Sequence, residues 1–313
     1  MKRIFTLIAA TALTSAAVAQ TMKVYTGHVV TSYAAEALGD VNFNNGTQLT
    51  LQGKTFSMSD IDSIVVDRSQ AAAARTMQVA YANGNTWVTV SGDVASLLNI
   101  AVKGDHVSVV AAPETAEEIT YALGGTATNG SFYMDGHYKS TLRFDNLNLT
   151  NPDSAAVCID NGKRINVILA DGSTNSLTDG AGGMQKACFF INGHAEFKGA
   201  GVLNLTGNAR HAYASDEYTL FKASTGTINV LASANDGLHI EQYFQMDGGT
   251  VNIPNVKGDC IDVSCTKNVT DEYNGQVFIN AGTLKYAVTG EDVKGLKSET
   301  DMTIRGGNIE ATV

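Results

Sequence analysis

Basic side chains are scarce in this 313-residue chain, in which 21 Lys and Arg stand against 31 Asp and Glu and give a formal net charge of −10. A surface of this sign disfavours nucleic acid, whose phosphates require Lys and Arg, and favours hard cations that take oxygen ligands. After residue 19 no apolar run is long enough to span a membrane. A single tryptophan leaves only tyrosine plentiful enough to build a flat aromatic platform for a crystalline polysaccharide.

Short motifs for metal binding and hydrolysis are also missing. The four cysteines form no Cys-x-x-Cys pair and no Cys/His spacing typical of zinc sites. His194, His211 and His239 are too widely separated along the chain to match any metal-binding pattern. Gly-x-Ser-x-Gly is absent, and no carboxylate pair can be given acid and base roles from spacing alone. The sequence therefore predicts neither zinc nor a hydrolase.

Glycine is abundant, with 31 residues against 3 prolines, and marks the first position of each unit of a sequence repeat. The repeated unit is a glycine followed by alternating apolar residues, at Gly201–Leu205, Gly226–Val230, Gly249–Ile253, Gly282–Tyr286 and Gly307–Ala311. Successive units begin about 25 residues apart, with one longer interval between the third and the fourth, and a period in this range indicates units that bury their apolar faces only by stacking on their neighbours. Within a unit, residues two apart share one face of a strand.

A second strand precedes each corner glycine, with apolar residues five and three positions before it, as Phe221 precedes Gly226 and Phe244 precedes Gly249. Three short strands in each period, joined by tight corners, indicate an all-β fold, a right-handed parallel β-helix. Leucine-rich repeats need a helical back, and propeller blades run to about 40 residues. The longer interval contains an insertion at residues 266 to 276, which predicts a loop on one side of the stack.

The chain divides into four parts. Residues 1–19 carry Lys2 and Arg3, an apolar run and the small-x-small pattern Ala17–Ala19, and this combination predicts a cleaved secretory signal peptide. Residues 20–68 are expected to form a small β-rich module, 69–84 a linker or a cap, and 85–313 the β-helix. The protein is therefore expected to be secreted, periplasmic or located at the cell surface.

Stacked acidic residues form the candidate metal site. Equivalent positions on successive turns of a β-helix lie only ~4.8 Å apart. Asp236 and Asp259 hold the same position in consecutive repeats, so their carboxylates should stack and favour a cation between them. The predicted Ca²⁺ ligands are Asn235, Asp236, Asp259, Glu291 and Asp292. Two alternatives remain: each Asp caps its own turn, or Lys294, which holds the third position, supplies the cation.

Basic residues near the same corner are the candidate carbohydrate contacts: Lys294, Lys297 and Arg305. Such side chains can pair with the carboxylates of an acidic sugar polymer. Lys294 or Lys297 could instead be the general base of a β-elimination if its pKa were lowered. A third interpretation is that they are solvated residues that hinder association at an exposed edge.

The segments Asn235–His239, Asp247–Asn252, Lys294–Ser298 and Ile304–Ile309 resemble the secreted bacterial carbohydrate-binding-domain β-helix proteins. The resemblance covers about residues 200 to 313 and, more loosely, 85 to 200. It implies a pectate-lyase-like fold, calcium at stacked aspartates, here Asp236 and Asp259, and an association with acidic plant polysaccharide such as polygalacturonate. Lys294 departs from the family's aspartate pattern.

We therefore predict a secreted, non-catalytic protein that binds acidic, polygalacturonate-like polysaccharide with the help of calcium. The enzyme-class alternative is a polysaccharide lyase with a Lys base beside calcium, and the third is a structural or adhesive surface protein. The last repeat, Gly307–Ala311, is followed by no capping segment, so the final turn presents an open edge. An open edge predicts end-to-end association.

Overall fold

The computed structural model describes residues 20–288 and 290–313, so the expected signal peptide at residues 1–19 lies outside the described part. Within that part the regular secondary structure is almost entirely β-strand, with one short helix, α1 (Gly92–Ala95), and a 3₁₀ turn at Ala35–Ala37. No helix in the described residues is long and apolar enough to cross a membrane.

The strands fall into two groups along the chain. The strands before the repeats are β1 (Thr21–Thr26), β2 (Val29–Ala34), β3 (Asn42–Asn44), β4 (Gln48–Leu51), β5 (Lys54–Ser57), β6 (Ser63–Asp67), β7 (Thr76–Ala82), β8 (Trp87–Ser91) and β9 (Leu98–Lys103). The strands of the repeats are β10 (Asp105–Ala111), β11 (Ile119–Ala127), β12 (Gly130–Asp135), β13 (Ser140–Asn151), β14 (Val157–Asp160), β15 (Ile165–Leu169), β16 (Thr174–Asp179), β17 (Ala187–Ile191), β18 (Ala195–Gly207), β19 (His211–Ser215), β20 (Thr219–Ser233), β21 (Leu238–Glu241), β22 (Tyr243–Met246), β23 (Thr250–Ile253), β24 (Ile261–Ser264), β25 (Gln276–Ile279), β26 (Thr283–Ala287), β27 (Leu296–Ser298), β28 (Met302–Ile304) and β29 (Asn308–Thr312).

From β10 onwards the chain winds into a β-solenoid of about 8 turns, which confirms the predicted fold class. Each turn contributes one segment to each of three faces. Face 1 contains β10, β12, β14, β17, β19, β21, β24 and β27, all paired in parallel. The long strands β11, β13, β18 and β20 run from face 2 through a corner into face 3. In the last turns these faces are separate strands, β22, β25 and β28 on face 2 and β23, β26 and β29 on face 3.

Inward-pointing side chains stack from turn to turn and fill the interior. Leu203, Ile228, Val251 and Leu284 lie in register on face 3, and each is at most 1% exposed. This confirms the alternation predicted from the repeat. A row of phenylalanines also crosses the interior, with neighbouring ring centroids 5.0 to 6.2 Å apart, and consists of Phe144, Phe189, Phe197, Phe221 and Phe244. Each such burial stabilises the fold by about 2 to 3 kcal/mol.

The corner glycines are required for two different reasons. Gly249, Gly282 and Gly307 have φ of +83°, +95° and +89°, in the left-handed region that favours glycine. Gly226 is constrained by space instead, because a Cβ atom there would lie 2.0 Å from the carbonyl oxygen of Gly201 on the turn before. Close backbone approach therefore applies at all four corners, since a Cβ at Gly249, Gly282 or Gly307 would also lie 2.7 to 3.0 Å from a carbonyl oxygen of the turn before, and the left-handed conformation applies only in the later turns.

The N-terminal strands cover the first end of the solenoid. β1 pairs antiparallel with β2 and β6, and β3, β4 and β5 form a small antiparallel sheet. β7 pairs antiparallel with β8 and in parallel with β11, so residues 76–82, within the expected linker or cap, are a strand laid on the first complete turn. Met77 and Val79 on this strand are buried in the main core.

The insertion after β24 forms a loop, residues 265–275, outside the stacked strands. Tyr273 in this loop packs against Tyr243 and Phe278, with ring centroids 5.6 and 5.2 Å apart. β22 still pairs with β25 across the insertion, with Phe244 opposite Val277. The predicted loop is confirmed, and the extra residues leave the stacking of the turns unchanged.

Candidate functional site

The outer surface of face 1 carries one outward side chain per turn in a straight row. We call this row the central column; it consists of Tyr133, Cys158, Phe190, Ala214, His239, Asp262 and Lys297. Strand spacing of ~4.8 Å gives it a length of roughly 29 Å. The residues on either side of each member from Tyr133 to Asp262 point inward and are buried, and those beside Lys297 are partly buried, so the column is fixed by the packing of the core.

A second row runs beside it, two residues further along each strand. This flanking column consists of Asp135, Asp160, Asn192, Asp216, Glu241, Ser264 and Glu299. Its side chains are mostly carboxylates, and they interact between turns: the Asn192 amide donates a 2.8 Å hydrogen bond to Asp160 Oδ1. Burial raises the pKa of Glu241, and the nearby Asp216 carboxylate raises it further. The column offers a row of hydrogen-bond acceptors.

The first half of the central column is aromatic. Tyr133, Cys158 and Phe190 line a surface depression of about 450 Å³. The Lys186 ammonium lies 5.2 Å from the centroid of the Phe190 ring and also pairs with Asp216. Burial raises the pKa of the Cys158 thiol to about 11, with a further contribution from Asp160. A thiol that holds its proton this firmly is not a nucleophile at neutral pH.

The second half of the column is charged. His239 Nδ1 lies 3.3 Å from Asp236 Oδ2 and 3.0 Å from Asp262 Oδ2. The Lys297 ammonium lies 2.8 Å from Asp262 Oδ1. His211, on the preceding turn, stacks on the His239 ring with centroids 4.4 Å apart, and its Nδ1 lies 3.2 Å from Asp236 Oδ2. Five titratable side chains from four successive turns thus form one contiguous cluster.

The contacts in this cluster determine its charge state. Burial alone would lower the pKa of His239, but Asp236 and Asp262 raise it to about 9, so the imidazole is protonated at neutral pH. Burial alone would raise the pKa of Asp236, but His211 and His239 hold it well below its usual range. The hydrogen bond with Asp262 raises the pKa of Lys297. The cluster is a row of alternating charges.

The predicted calcium ligands Asp236 and Asp259 do lie at equivalent positions, because Leu238 pairs with Ile261. Their oxygens, however, accept hydrogen bonds from the next turn. Asp236 Oδ1 accepts from the Asp259 N–H at 2.8 Å, and Asp259 Oδ1 accepts from the Lys294 N–H at 2.7 Å. Each aspartate therefore caps the corner of the following turn rather than its own.

The other predicted ligands lie around this corner without converging on it. Glu291 and Asp292 are exposed, and the Asp292 carbonyl oxygen accepts a hydrogen bond from the Lys294 ammonium. The Asn235 carbonyl oxygen accepts from the Gly258 N–H at 3.0 Å. With Lys297 at 3.5 Å from Asp259 Oδ2, the oxygens that would face calcium instead face nitrogen donors. Several of these oxygens already accept hydrogen bonds, and calcium binding by the five residues stays a prediction.

The structure separates the three basic residues predicted to contact carbohydrate. Lys294 lies in the corner before face 1 and Lys297 on face 1 itself, and both side chains are exposed. Arg305 follows β28 on face 2, where it donates a 2.9 Å hydrogen bond to Asn280 Oδ1 and lies 5.7 Å from the Phe278 ring centroid. Lys297 therefore belongs to the charged cluster, Lys294 lies next to it, and Arg305 lies on another face.

Sequence reasoning missed His211, His239 and Asp262. The histidines were set aside because their separation along the chain matches no local metal motif. The useful signal was the repeat period: His239 and Asp262 are one period apart, as are Asp236 and Asp259. Applying that interval to the polar residues of the strand, and not to the corner alone, would have placed His239 beside Asp262.

Comparison with known proteins gives three results. The sequence profile of the family described as "Carbohydrate-binding domain-containing protein" matches residues 103–313. A protein of that description from Acetivibrio thermocellus is 29% identical over 159 residues, which cover 45% of this chain and 55% of the relative, so the chain spans about half the length of the relative. A solved structure described as the polysaccharide lyase-like protein from C. thermocellum, a gadolinium derivative, aligns with this chain at a TM-score of 0.56. The alignment covers 76% of this chain and 95% of the chain in that structure. At 22% identity, that likeness shows the fold alone.

Proposed function

The chain belongs to the carbohydrate-binding domain-containing protein family, and we propose that it binds an uncharged polysaccharide, without cleaving it, along the outer surface of face 1. The observation that carries this proposal is the aromatic half of the central column, which lies beside a row of carboxylates and amides. Sugar rings have apolar faces that pack on aromatic side chains, and hydroxyl groups that donate hydrogen bonds to carboxylates.

The spacing of the aromatic residues suits an extended polymer. Tyr133 and Phe190 are two turns apart, with Cys158 between them, so a chain lying along the solenoid axis meets both over ~10 Å. The same polymer passes Asp135 and Asp160 of the flanking column. A repeating ligand and a repeating protein surface run in the same direction, so several weak contacts add along one axis.

The charge of this surface favours an uncharged polymer. Asp135, Asp160 and Asp216 would repel sugar carboxylates, and Lys186, the cation above Phe190, already pairs with Asp216. The net charge of −10 acts in the same sense over longer distances. A glucan-like or other uncharged polysaccharide therefore meets acceptors where a polyuronate would meet repulsion.

Neither lysine suggested as the base of a lyase is suited to that role. A base for β-elimination must be unprotonated near the working pH. Asp262 raises the pKa of Lys297 and makes it a poorer base, and the Lys294 ammonium is held by the Asp292 carbonyl oxygen. These contacts support binding without cleavage.

The test is retention of the untagged chain on soluble uncharged polysaccharides in affinity electrophoresis. A Tyr133→Ala, Phe190→Ala double variant is expected to lose about 30-fold in affinity, since each aromatic contact contributes roughly 1 kcal/mol. Tyr273→Ala, an exposed tyrosine in the loop outside face 1, is the matched control and should bind as the parent does. Unchanged binding by the double variant would refute the placement of the ligand.

A second candidate is calcium-dependent binding of acidic polysaccharide at the charged end. The exposed side chains of Lys294, in the corner before β27, and of Lys297, on β27, support it. Retention on polygalacturonate, measured with added calcium and with chelator, tests it directly. Loss of that retention in a Lys294→Ala, Lys297→Ala double variant, with uncharged polysaccharide still bound, would favour this candidate.

Export and self-association stay predictions. Export through residues 1–19 is checked by sequencing the N-terminus of the protein recovered outside the cytoplasm, which should begin near residue 20. End-to-end association through β27, β28 and β29 is checked by sedimentation over a range of concentrations. A mass that stays monomeric at high concentration would contradict it.

A further inference from the structure

We propose that His211, Asp236 and His239 bind a divalent transition metal ion of the zinc class on the outer surface of face 1. This site is separate from the aromatic half of the column, and the inference does not depend on the proposed polysaccharide. Of the predicted calcium ligands it uses only Asp236.

The ligand atoms already converge. His211 Nδ1 and His239 Nδ1 lie 3.2 and 3.3 Å from the same oxygen, Asp236 Oδ2. The potential ligand atoms of the three residues all lie within 4.8 Å of one another. Ligands placed 2.0 to 2.1 Å from a tetrahedral metal are separated by about 3.3 to 3.4 Å. Asp262 Oδ2, 3.0 Å from His239 Nδ1, is in reach as a fourth ligand.

A second observation points to a missing partner. His211 is only 3% exposed, and among the described residues its Nδ1 makes no well-directed hydrogen bond, although Asp236 Oδ2 lies 3.2 Å away. Buried polar atoms without a partner are rare, because each has lost its bond to water without compensation. A metal ion bound between His211, Asp236 and His239 would take the lone pair of this nitrogen.

The donor set selects the class of ion. Two imidazole nitrogens and a carboxylate are typical zinc ligands and also suit cobalt, nickel and copper, whereas calcium takes oxygen ligands. The surrounding contacts orient the carboxylates as outer partners do in metal sites: the Asp259 N–H binds Asp236 Oδ1, and Lys297 contacts Asp262 Oδ1.

Binding requires that the His239 imidazole release its proton to solvent and that the rings turn slightly. The two imidazoles stack at an interplanar angle of 22° with centroids 4.4 Å apart. A metal lies in the plane of each ring that binds it, so the rings must turn out of this stack when the ion enters. Of the two, His239 has the freedom to turn, since its side chain is 26% exposed.

The experiment uses the untagged chain, stripped with chelator and then dialysed. Zn²⁺ is titrated by calorimetry, and Co²⁺ is titrated by visible absorption, which reports tetrahedral nitrogen and oxygen ligation without any activity assay. We expect one ion per chain. His211→Ala and His239→Gln should each weaken binding about 100-fold or more, since losing a ligand costs at least as much as losing an outer partner.

The matched control is His194→Ala, a partly buried histidine stacked on Tyr218 on another face, which should change the affinity by less than about threefold. Circular dichroism of each variant establishes that it is folded; His239→Gln, at the more exposed position, keeps the test valid if His211→Ala does not fold. Absence of stoichiometric Zn²⁺ binding, or equal displacement by Ca²⁺, would overturn the proposal.

Discussion

The central column changes from aromatic to charged side chains while its geometry stays constant. Phe190 and His239 hold the same position on their strands, two turns apart, yet Phe190 lines a depression and His239 joins a row of ion pairs. The residues beneath them do not change in kind: Phe189 and Leu238, one position earlier, are both fully buried. The inward residues determine the position of each outer side chain, but they do not constrain which type of residue occupies that position.

The largest effect on stability is expected from a substitution at a corner glycine, because it disturbs the stacking on which both halves of the column depend. Gly226→Ala is expected to lower the free energy of unfolding by about 3 kcal/mol or more, because the new methyl group would meet the Gly201 carbonyl oxygen at 2.0 Å. Gly162→Ala, where nothing lies within 4 Å of the added atom, is the matched control. Urea unfolding measures both, and similar losses would contradict the explanation.

The next effect should distinguish the two halves. Asp262→Ala removes the partner of His239 and Lys297 and should cost about 2 to 3 kcal/mol, below the usual range for a buried pair because Lys297 is 44% exposed. Cys158→Ala, at the same column position in the aromatic half, should cost less than about 1 kcal/mol. Urea midpoints in the presence of chelator test this, and equal losses would remove the distinction.

A smaller effect is expected at the junction of the halves. Lys186→Ala removes the cation above Phe190 and the pair with Asp216, and should cost about 0.5 to 1 kcal/mol at low salt. In 1 M salt the loss should shrink, because exposed pairs are screened. Lys257→Ala, an exposed lysine without an ion pair among the described residues, is the control. A loss that is independent of salt would point to lost packing instead.

The smallest effect concerns the crowded carboxylates beside the charged half. Burial raises the pKa of Glu217, and Asp271 and Asp216 raise it further. A carboxyl whose pKa is raised on folding lowers stability as pH rises from its ordinary value through the raised one. Glu217→Gln should therefore stabilise the protein by a few tenths of a kcal/mol at pH 7, with no gain below about pH 4.5. Thermal melting from pH 4 to 8 checks this, and a constant gain would refute it.

The repeat predicted the stacking of the turns but not every alignment within them. Phe221 and Phe244 each lie five residues before a corner glycine, so the repeat aligns them with each other. In the structure Phe221 pairs with Met246 instead, although Met246 lies only three residues before its own corner glycine, because β20 is two residues longer between the paired position and the corner. The shift is even, so both side chains still point inward and the core is preserved. The number of residues in a corner depends on local packing, and the spacing from a single glycine does not reveal it.

The candidate site was predictable where it depends on register alone. The alignment of Asp236, Asp259 and Lys294 follows from the period and is confirmed by the pairing of Leu238, Ile261 and Leu296. The partners of the carboxylates were not predictable in this way. The N–H groups that occupy their oxygens belong to corners of the next turn, and His211 comes from the turn before. Such contacts depend on rotamers and corner shape, which a sequence period does not encode.

The loop of residues 265–275 shows that a turn can gain length without moving its neighbours. The solenoid can therefore be treated as a set of exchangeable cassettes, each carrying one position of the central column. Duplicating the turn that contains Phe190 would lengthen the outer surface by ~4.8 Å and add one aromatic side chain. In the proposed function, the number of turns sets the length of polymer that the surface accommodates, and the column residue of each turn sets what that stretch binds.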